Sequence, residues 1–293
     1  MLNWIGSCSA AVVLMATTAI SAGEIVFEKD VEYSNPDGQH LQLNIARPKD
    51  GDGLRPAVLC IHGGGFRAGK RERWDGLCQK LAADGYVAAT VTYRLAPKYQ
   101  FPAAIYDVKA AVRWLRTKAP IYQIDPERIG VVGDSAGGHL AQFLGVTGDL
   151  PDFEGIEELG DLPDNLESTA VTCVVNYYGP SDFTKSYGKS VDAAEVLPLW
   201  LGGDVTKERR KHIVASPLYW VTPNAAPTLF IHGTEDKYVA FEQAEWIYDR
   251  MKAAEVDVEM LKLEGAGHGF KGADAEKAEA AMLAYFKKHL QVE

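Results

Sequence analysis

Ser135 stands in Gly133-Asp134-Ser135-Ala136-Gly137, directly after the apolar run Ile129-Gly130-Val131-Val132 and before an amphipathic stretch. A serine hydroxyl is a weak nucleophile until a base takes its proton and the backbone fixes its direction. A sharp strand-to-helix turn supplies that direction, and glycine is required on both sides because side chains there would meet neighbouring backbone. The helix that begins at once aims its free N–H groups at the same point, which favours negative charge. Asp134, inside the motif, reads as structural. A second constellation, His62-Gly63-Gly64-Gly65-Phe66, follows the apolar run 57–61. Successive glycines let backbone N–H groups approach a ligand atom unobstructed. Such a loop, with the N–H of Ala136, offers donors to the oxyanion of a tetrahedral intermediate. A phosphate-cradling loop would need Lys followed by Ser or Thr; Lys70 comes too late and neither residue follows it. His62, at the start of the motif, reads as an anchor for the loop.

The base and its partner must come from further along the chain. Seven histidines are available: His40, His62, His139, His212, His232, His268 and His289. His268 lies in Gly265-Ala266-Gly267-His268-Gly269-Phe270, a glycine-flanked loop between the last apolar run and the last helical stretch. That loop can reach back toward Ser135. His139 is one turn into the nucleophile helix and should point away, His289 ends the final helix, and His232 ends an apolar run. A buried carboxylate would orient His268 and stabilise its imidazolium. Asp236, just after His232, is the first choice and Glu235 the alternative. The order Ser, Asp, His along the chain is that of α/β-hydrolases. Dehalogenase or epoxide-hydrolase chemistry on such a scaffold would need Asp where Ser135 stands.

These residues require elements to hold them. Strands are expected at 25–33, 40–47, 57–61, 86–93, 129–132, 170–177, 228–232 and 256–263, the first two joined by a turn at Asn35-Pro36-Asp37-Gly38. Helices are expected at 73–84, 102–118, 137–147, 241–253 and 274–289, with Pro102 and Gly85 as start and stop signals. Apolar runs alternating with amphipathic helices imply an α/β fold with a mostly parallel central sheet covered on both faces. Two segments break the alternation: 148–168 is acidic and turn-rich, and 179–216 is long and mixed. Each follows the nucleophile helix or the next strand, so both read as lid-like insertions over the strands' carboxyl ends, where open α/β sheets bind ligands. Phe66 and Trp74, after the glycine loop, and Trp200, in the second insertion, are candidates to line a substrate site; the alternatives are core or surface positions for the first two and, for Trp200, packing that holds the insertion to the sheet. Arg94 and Asp107 are expected to form a buried ion pair of structural use.

Taken together, His62-Gly63-Gly64-Gly65, Tyr93-Arg94-Leu95-Ala96-Pro97, Gly133-Asp134-Ser135-Ala136-Gly137-Gly138 and His268-Gly269-Phe270 resemble the hormone-sensitive-lipase-like esterases. Phe101-Pro102-Ala103 and Ser135-Ala136-Gly137-Gly138-His139-Leu140-Ala141 look closer still to secreted bacterial esterases of the bifunctional feruloyl and acetyl type. The resemblance runs from about residue 31 to the end. It implies an α/β-hydrolase fold and a serine carboxylic ester hydrolase working through an acyl-enzyme. In it Ser135 is nucleophile, His268 base and Asp236 orienting acid; Gly64, Gly65 and Ala136 are oxyanion donors, with Gly63 a further candidate. The substrates implied are short acyl esters, acetyl or feruloyl groups of plant polysaccharide among them. Little chain lies between a leader and the first strand, so the expectation departs from the family in lacking an N-terminal helical cap.

Composition sets the remaining bounds. With 47% hydrophobic and 24% charged residues the chain has the make-up of a packed globular protein. Thirty Lys and Arg against forty Asp and Glu give a formal charge of −10, and no basic block argues for nucleic acid or anionic lipid. Residues 10–20 are apolar or small and precede Ser21-Ala22-Gly23, the pattern of a signal peptide cleaved after Ala22, although 1–9 holds no Lys or Arg. The expected organisation is therefore a leader at 1–22 and one catalytic domain at 23–293, secreted or periplasmic. Of four cysteines, Cys8 falls in the leader, and Cys60, Cys78 and Cys173 read as unpaired buried thiols. No metal or organic cofactor is implied, since the constellation needs none, and the partner expected is a small or polysaccharide-linked ester. The competing readings are a serine aminopeptidase of the same fold, which the glycine loop 62–65 disfavours, and a non-catalytic binding protein.

Overall fold

The computed structural model describes residues 24–148, 150–154 and 166–291. The leader expected at 1–22 lies outside them, as does most of the segment 148–168. Eight strands form one sheet in the order β1-β2-β4-β3-β5-β6-β7-β8. They are β1 (Ile25–Ser34), β2 (Leu41–Pro48), β3 (Arg55–Ile61), β4 (Val87–Val91), β5 (Ile124–Asp134), β6 (Cys173–Tyr177), β7 (Thr228–Gly233) and β8 (Val258–Leu263). β1 pairs antiparallel with β2, and β2 with β4; all later neighbours are parallel. The hairpin between β1 and β2 turns at Asp37 and Gly38, whose φ of 51° and 72° suit a short polar residue and a glycine. The central strands β4, β6 and β7 are buried at every residue, which is why they read as unbroken apolar runs.

Alternation along each strand splits the core between two faces. Leu59, Ile61 and Val131 share a cluster with side chains of α2 (Ala103–Thr117) and α4 (Ala136–Thr147). Val58, Cys60 and Val132 turn the other way, toward α1 (Asp75–Ala83) and α9 (Ala273–Leu290). A third cluster joins Phe230 and Val258 to Ile247 and Met251 of α8 (Glu242–Ala253). Gly85, at φ 95°, stops α1 as its composition predicts. The expected elements recur with their ends moved by up to five residues. β5 starts at Ile124, five residues early, because Arg55 pairs with Ile124 and carries the ladder past Pro126. Between β5 and α2 there is also a single turn, α3 (Ala119–Tyr122). Cys60, Cys78 and Cys173 are free and buried, and Arg94 and Asp107 are paired at 2.8 Å with almost no exposure.

The two irregular segments are tied down differently. Segment 179–216 folds into short helices α5 (Val191–Glu195), α6 (Leu197–Leu201) and α7 (Arg209–Val214). Leu197, Trp200 and Leu201 drop into the core of the α2/α4 face. Segment 148–168 leaves and rejoins the domain at one buried ammonium. Lys109, on α2, donates to the carbonyl of Gly148, to Glu154 Oε1 at 2.7 Å and to Thr169 Oγ1 at 3.0 Å. Arg113 bonds Glu154 as well, and Arg116 takes the carbonyls of Ser168 and Ala170. Such a buried charge is tolerable because its donors are all met. Among the described residues no helix is long and apolar enough to cross a membrane.

Candidate active site

At the junction of β5 and α4 the backbone makes an abrupt reversal. Ser135 has φ 53° and ψ −118°, a conformation that side chains disfavour. The turn is held from both ends: the Ser135 N–H donates to Tyr177 O at 2.8 Å, and its carbonyl accepts the His139 N–H at 2.9 Å. Two glycines make the packing possible. A Cβ on Gly133 would lie 2.2 Å from Gly137 O, and one on Gly137 would lie 2.1 Å from Ile61 O. The hydroxyl is thus fixed over the carboxyl ends of β3, β5 and β6.

His268 arrives on the loop after β8. Its Nε2 lies 3.0 Å from Ser135 Oγ and its Nδ1 lies 2.7 Å from Asp236 Oδ2. Asp236 follows β7, and its Oδ1 accepts the backbone N–H groups of Tyr238 and Val239, each at 2.9 Å. Burial pushes this carboxyl up, but hydrogen bonds from His232 and His268 and from the backbone outweigh it and bring it down to about 2. An ionised acceptor on Nδ1 leaves Nε2 as the acceptor for the serine proton. The carboxylate on His268 therefore belongs to Asp236. Glu235 serves through its backbone: its N–H donates to Ala266 O at 3.0 Å, binding the turn after β7 to the His268 loop. A second imidazole, His232, sits 3.3 Å from Asp236 Oδ2. Sequence reasoning passed over it; the signal available was its place four residues before the acid.

The glycine loop is held at both His62 and Gly63. The Gly63 N–H donates to Asp134 Oδ1 at 2.8 Å, and Asp134 Oδ2 pairs with Arg73 at 2.9 Å. Gly63 is thereby committed, and the choice among the loop's donors falls to its neighbours. His62 Nδ1–H donates to Gly63 O at 2.7 Å, its ring stacks on Tyr93 at 4.5 Å, and the Tyr93 hydroxyl donates to His62 O. Burial keeps His62 below the ordinary imidazole range, consistent with a neutral anchor. Gly64 has φ 122° and a Cβ there would lie 2.1 Å from Ala68 O; Gly65 has φ 60° and lies against Val196 of the second insertion. Among the described residues, the N–H groups of Gly64, Gly65 and Ala136 donate to no acceptor.

Phe66 and Trp200 take the packing alternative and do not line a site. Phe66 is 2% exposed and Trp200 0%, and their rings stack on each other at 3.8 Å, so neither presents a face to a ligand. Phe66, directly after the three glycines, and the apolar stretch 196–201 of the second insertion satisfy one another instead. His139 closes this cluster edge-on to both rings, as a buried imidazole depressed to about 3 by burial and bonded to Ala215 O at 2.7 Å. Trp74 does border a pocket of about 140 Å³, shared with Leu77, Tyr177, Tyr178, Phe270 and Met282. That pocket adjoins the site, since the Tyr178 ring packs on both His268 (4.6 Å) and Phe270 (4.9 Å). No cluster of three or more metal-ligating side chains occurs among the described residues.

Known proteins of similar sequence and shape bear on the same region. The BD-FAE family model matches residues 43–251. Esterase LipC of Mycobacterium tuberculosis is 34% identical over 223 residues, covering 73% of this chain and 53% of that protein. The chain spans about half the length of the curated relatives it matches. Among solved structures, a truncated carbohydrate esterase from gut microbiota superposes with a TM-score of 0.78 at 26% identity, over 94% of this chain and 99% of the other. A thermophilic esterase of Thermogutta terrifontis with propionate bound gives 0.71 at 25% identity, over 94% and 97%.

Proposed function

The chain belongs to the BD-FAE family and has the α/β-hydrolase fold, and from that premise we propose that it is a serine carboxylic ester hydrolase acting on short acyl esters. The observation that carries the reading is the unbroken run Asp236–His268–Ser135, 2.7 Å and 3.0 Å, ending on a hydroxyl at a strained strand-to-helix turn. Ser135 Oγ attacks the ester carbonyl while His268 Nε2 takes its proton, and Asp236 stabilises the imidazolium. The carbonyl oxygen, now negative, is met by the N–H groups of Gly64, Gly65 and Ala136. A single such donor is worth about 3 kcal/mol of barrier. The imidazolium protonates the leaving alcohol, and water repeats the sequence on the acyl-enzyme to release the acid.

The acyl group we assign is small or planar, acetyl or feruloyl, and the alcohol a plant polysaccharide. Support comes from the family and from likeness to a carbohydrate esterase and to an esterase with propionate bound. Segment 179–216 roofs the site in this reading, through Val196 against Gly65 and the α5 amides of Val191 and Asp192 on the carbonyls of Lys237 and Tyr238. The apolar stretch at 10–20 directs export, so the mature chain would begin at Gly23.

The test is turnover of p-nitrophenyl acetate and of methyl ferulate by the wild type and by Ser135→Ala. The wild type should hydrolyse one or both, and the variant should be slower by about 10³-fold or more. A Ser135→Ala protein that kept the wild-type rate would remove the mechanism. Terminal sequencing of the exported protein tests the leader.

A further inference from the structure

Two imidazoles share one carboxylate. Asp236 Oδ1 is satisfied by the amides of Tyr238 and Val239, while Oδ2 faces His268 Nδ1 at 2.7 Å and His232 Nε2 at 3.3 Å. His232 lies in β7 and is 1% exposed. Its Nε2 also lies 2.9 Å from Val239 O. A carbonyl can only accept, so Nε2 carries a proton and donates it to Val239 O, with Asp236 Oδ2 3.3 Å from the same nitrogen. Phe241 packs edge-on to the ring at 5.6 Å and holds it there.

We propose that His232 is a positioning residue for the ester hydrolysis, acting through Asp236 by drawing off part of the charge that Oδ2 presents to His268. This rests on the esterase reading above. An N–H held 3.3 Å from Oδ2 by the sheet weakens the field that the carboxylate exerts on His268, so less positive charge is stabilised there. Removing that donor while leaving the ring's volume should make imidazolium easier to form and move the acidic limb of the rate profile to higher pH. Loss of the Asp236–His268 contact would move it the opposite way, which separates tuning from misplacement.

Other groups face the pair and must be held constant. Asp192 of α5 and the Tyr178 hydroxyl act on Asp236, Glu242 at the start of α8 faces His232, and the Tyr178 and Tyr238 rings flank His268. Asp192 needs a control, since burial, with help from the Asp236 charge, pushes it up to about 7. Its contribution cancels if every comparison is repeated in an Asp192→Asn background.

The experiment compares wild type, His232→Gln and His232→Phe by kcat/KM for p-nitrophenyl acetate from pH 5 to 9. Active sites are counted with an organophosphonate, so that partial misfolding changes amplitude and not midpoint. Glutamine can place an N–H near the same spot and should keep the midpoint within about 0.2 of wild type. Phenylalanine should raise it by about 0.5–1 pH unit. An unmoved or lowered midpoint in His232→Phe overturns the proposal, and so does a glutamine variant shifted as far as phenylalanine. Titration of the ¹⁵N-labelled His268 ring reads the same midpoint without substrate. A chain that hydrolyses no ester would therefore refute the esterase reading, while the role of His232 is still decided by the shift.

Discussion

Ser135 occupies backbone that a β-carbon penalises, which makes its replacement a measurement of stored strain. At φ 53° and ψ −118° it lies outside the right-handed, extended and left-handed wells, a placement that costs about 1–3 kcal/mol. Ser135→Ala keeps the β-carbon and hence the strain, while losing the bond to His268. Ser135→Gly loses the same bond and relieves the strain, at a cost of about 0.4–1 kcal/mol for its freer unfolded chain. The hydroxyl cancels between the two variants, leaving glycine ahead by roughly 1 kcal/mol, or about 2–4 °C in Tm for a chain of this size. At an ordinary helix or strand position the order is the reverse, with glycine worse by roughly 0.5–1 kcal/mol. Urea and thermal unfolding followed by tryptophan fluorescence at one pH would give both numbers, since neither variant retains a nucleophile. An alanine variant as stable as the glycine variant, or more so, would refute the claim that the elbow is strained.

Three further substitutions have signs set by geometry. Asp236→Asn should slow ester hydrolysis by about 10⁴-fold, because an amide can hold His268 in the wrong tautomer. Since the Asp236 carboxyl is held down at about 2, its stabilisation is complete above the ordinary carboxylate range and fades as pH falls through 2; the gap in urea midpoint between wild type and variant should close over that descent. Gly137→Ala puts a methyl 2.1 Å from the Ile61 carbonyl and should cost about 3 kcal/mol or more along with turnover. Gly76→Ala, in open space on α1, should instead gain about 0.5–1 kcal/mol, and equal effects from the pair in urea titrations would contradict the packing argument.

How far the chain could be read in advance depended on the range of each interaction. Strands β4, β6 and β7 announce themselves because strands covered on both faces are close to apolar throughout. The segments bearing Ser135, His268 and Asp236 were recognisable because each lies in a short glycine-marked motif at a strand end. What stayed hidden was decided by partners far along the chain. The Gly63 amide is taken by Asp134, 71 residues away. Phe66 and Trp200 each look like ligand-facing aromatics until they are seen stacked together. The early start of β5 runs through Asp125-Pro126-Glu127-Arg128, which no strand pattern would include. Helices of five or six residues in 179–216 are too short for any periodicity to show.

The grip of Lys109 on Gly148, Glu154 and Thr169 has an evolutionary corollary. Chain leaving the domain at one of these residues and returning at another starts and finishes within reach of a single ammonium group. Enlarging the excursion between them leaves α4 and β6 where they are, and the entropic penalty grows only with the logarithm of its length, about 0.6 kcal/mol per doubling. The fold thus carries a built-in splice point, where chain can be added without disturbing the elements it joins.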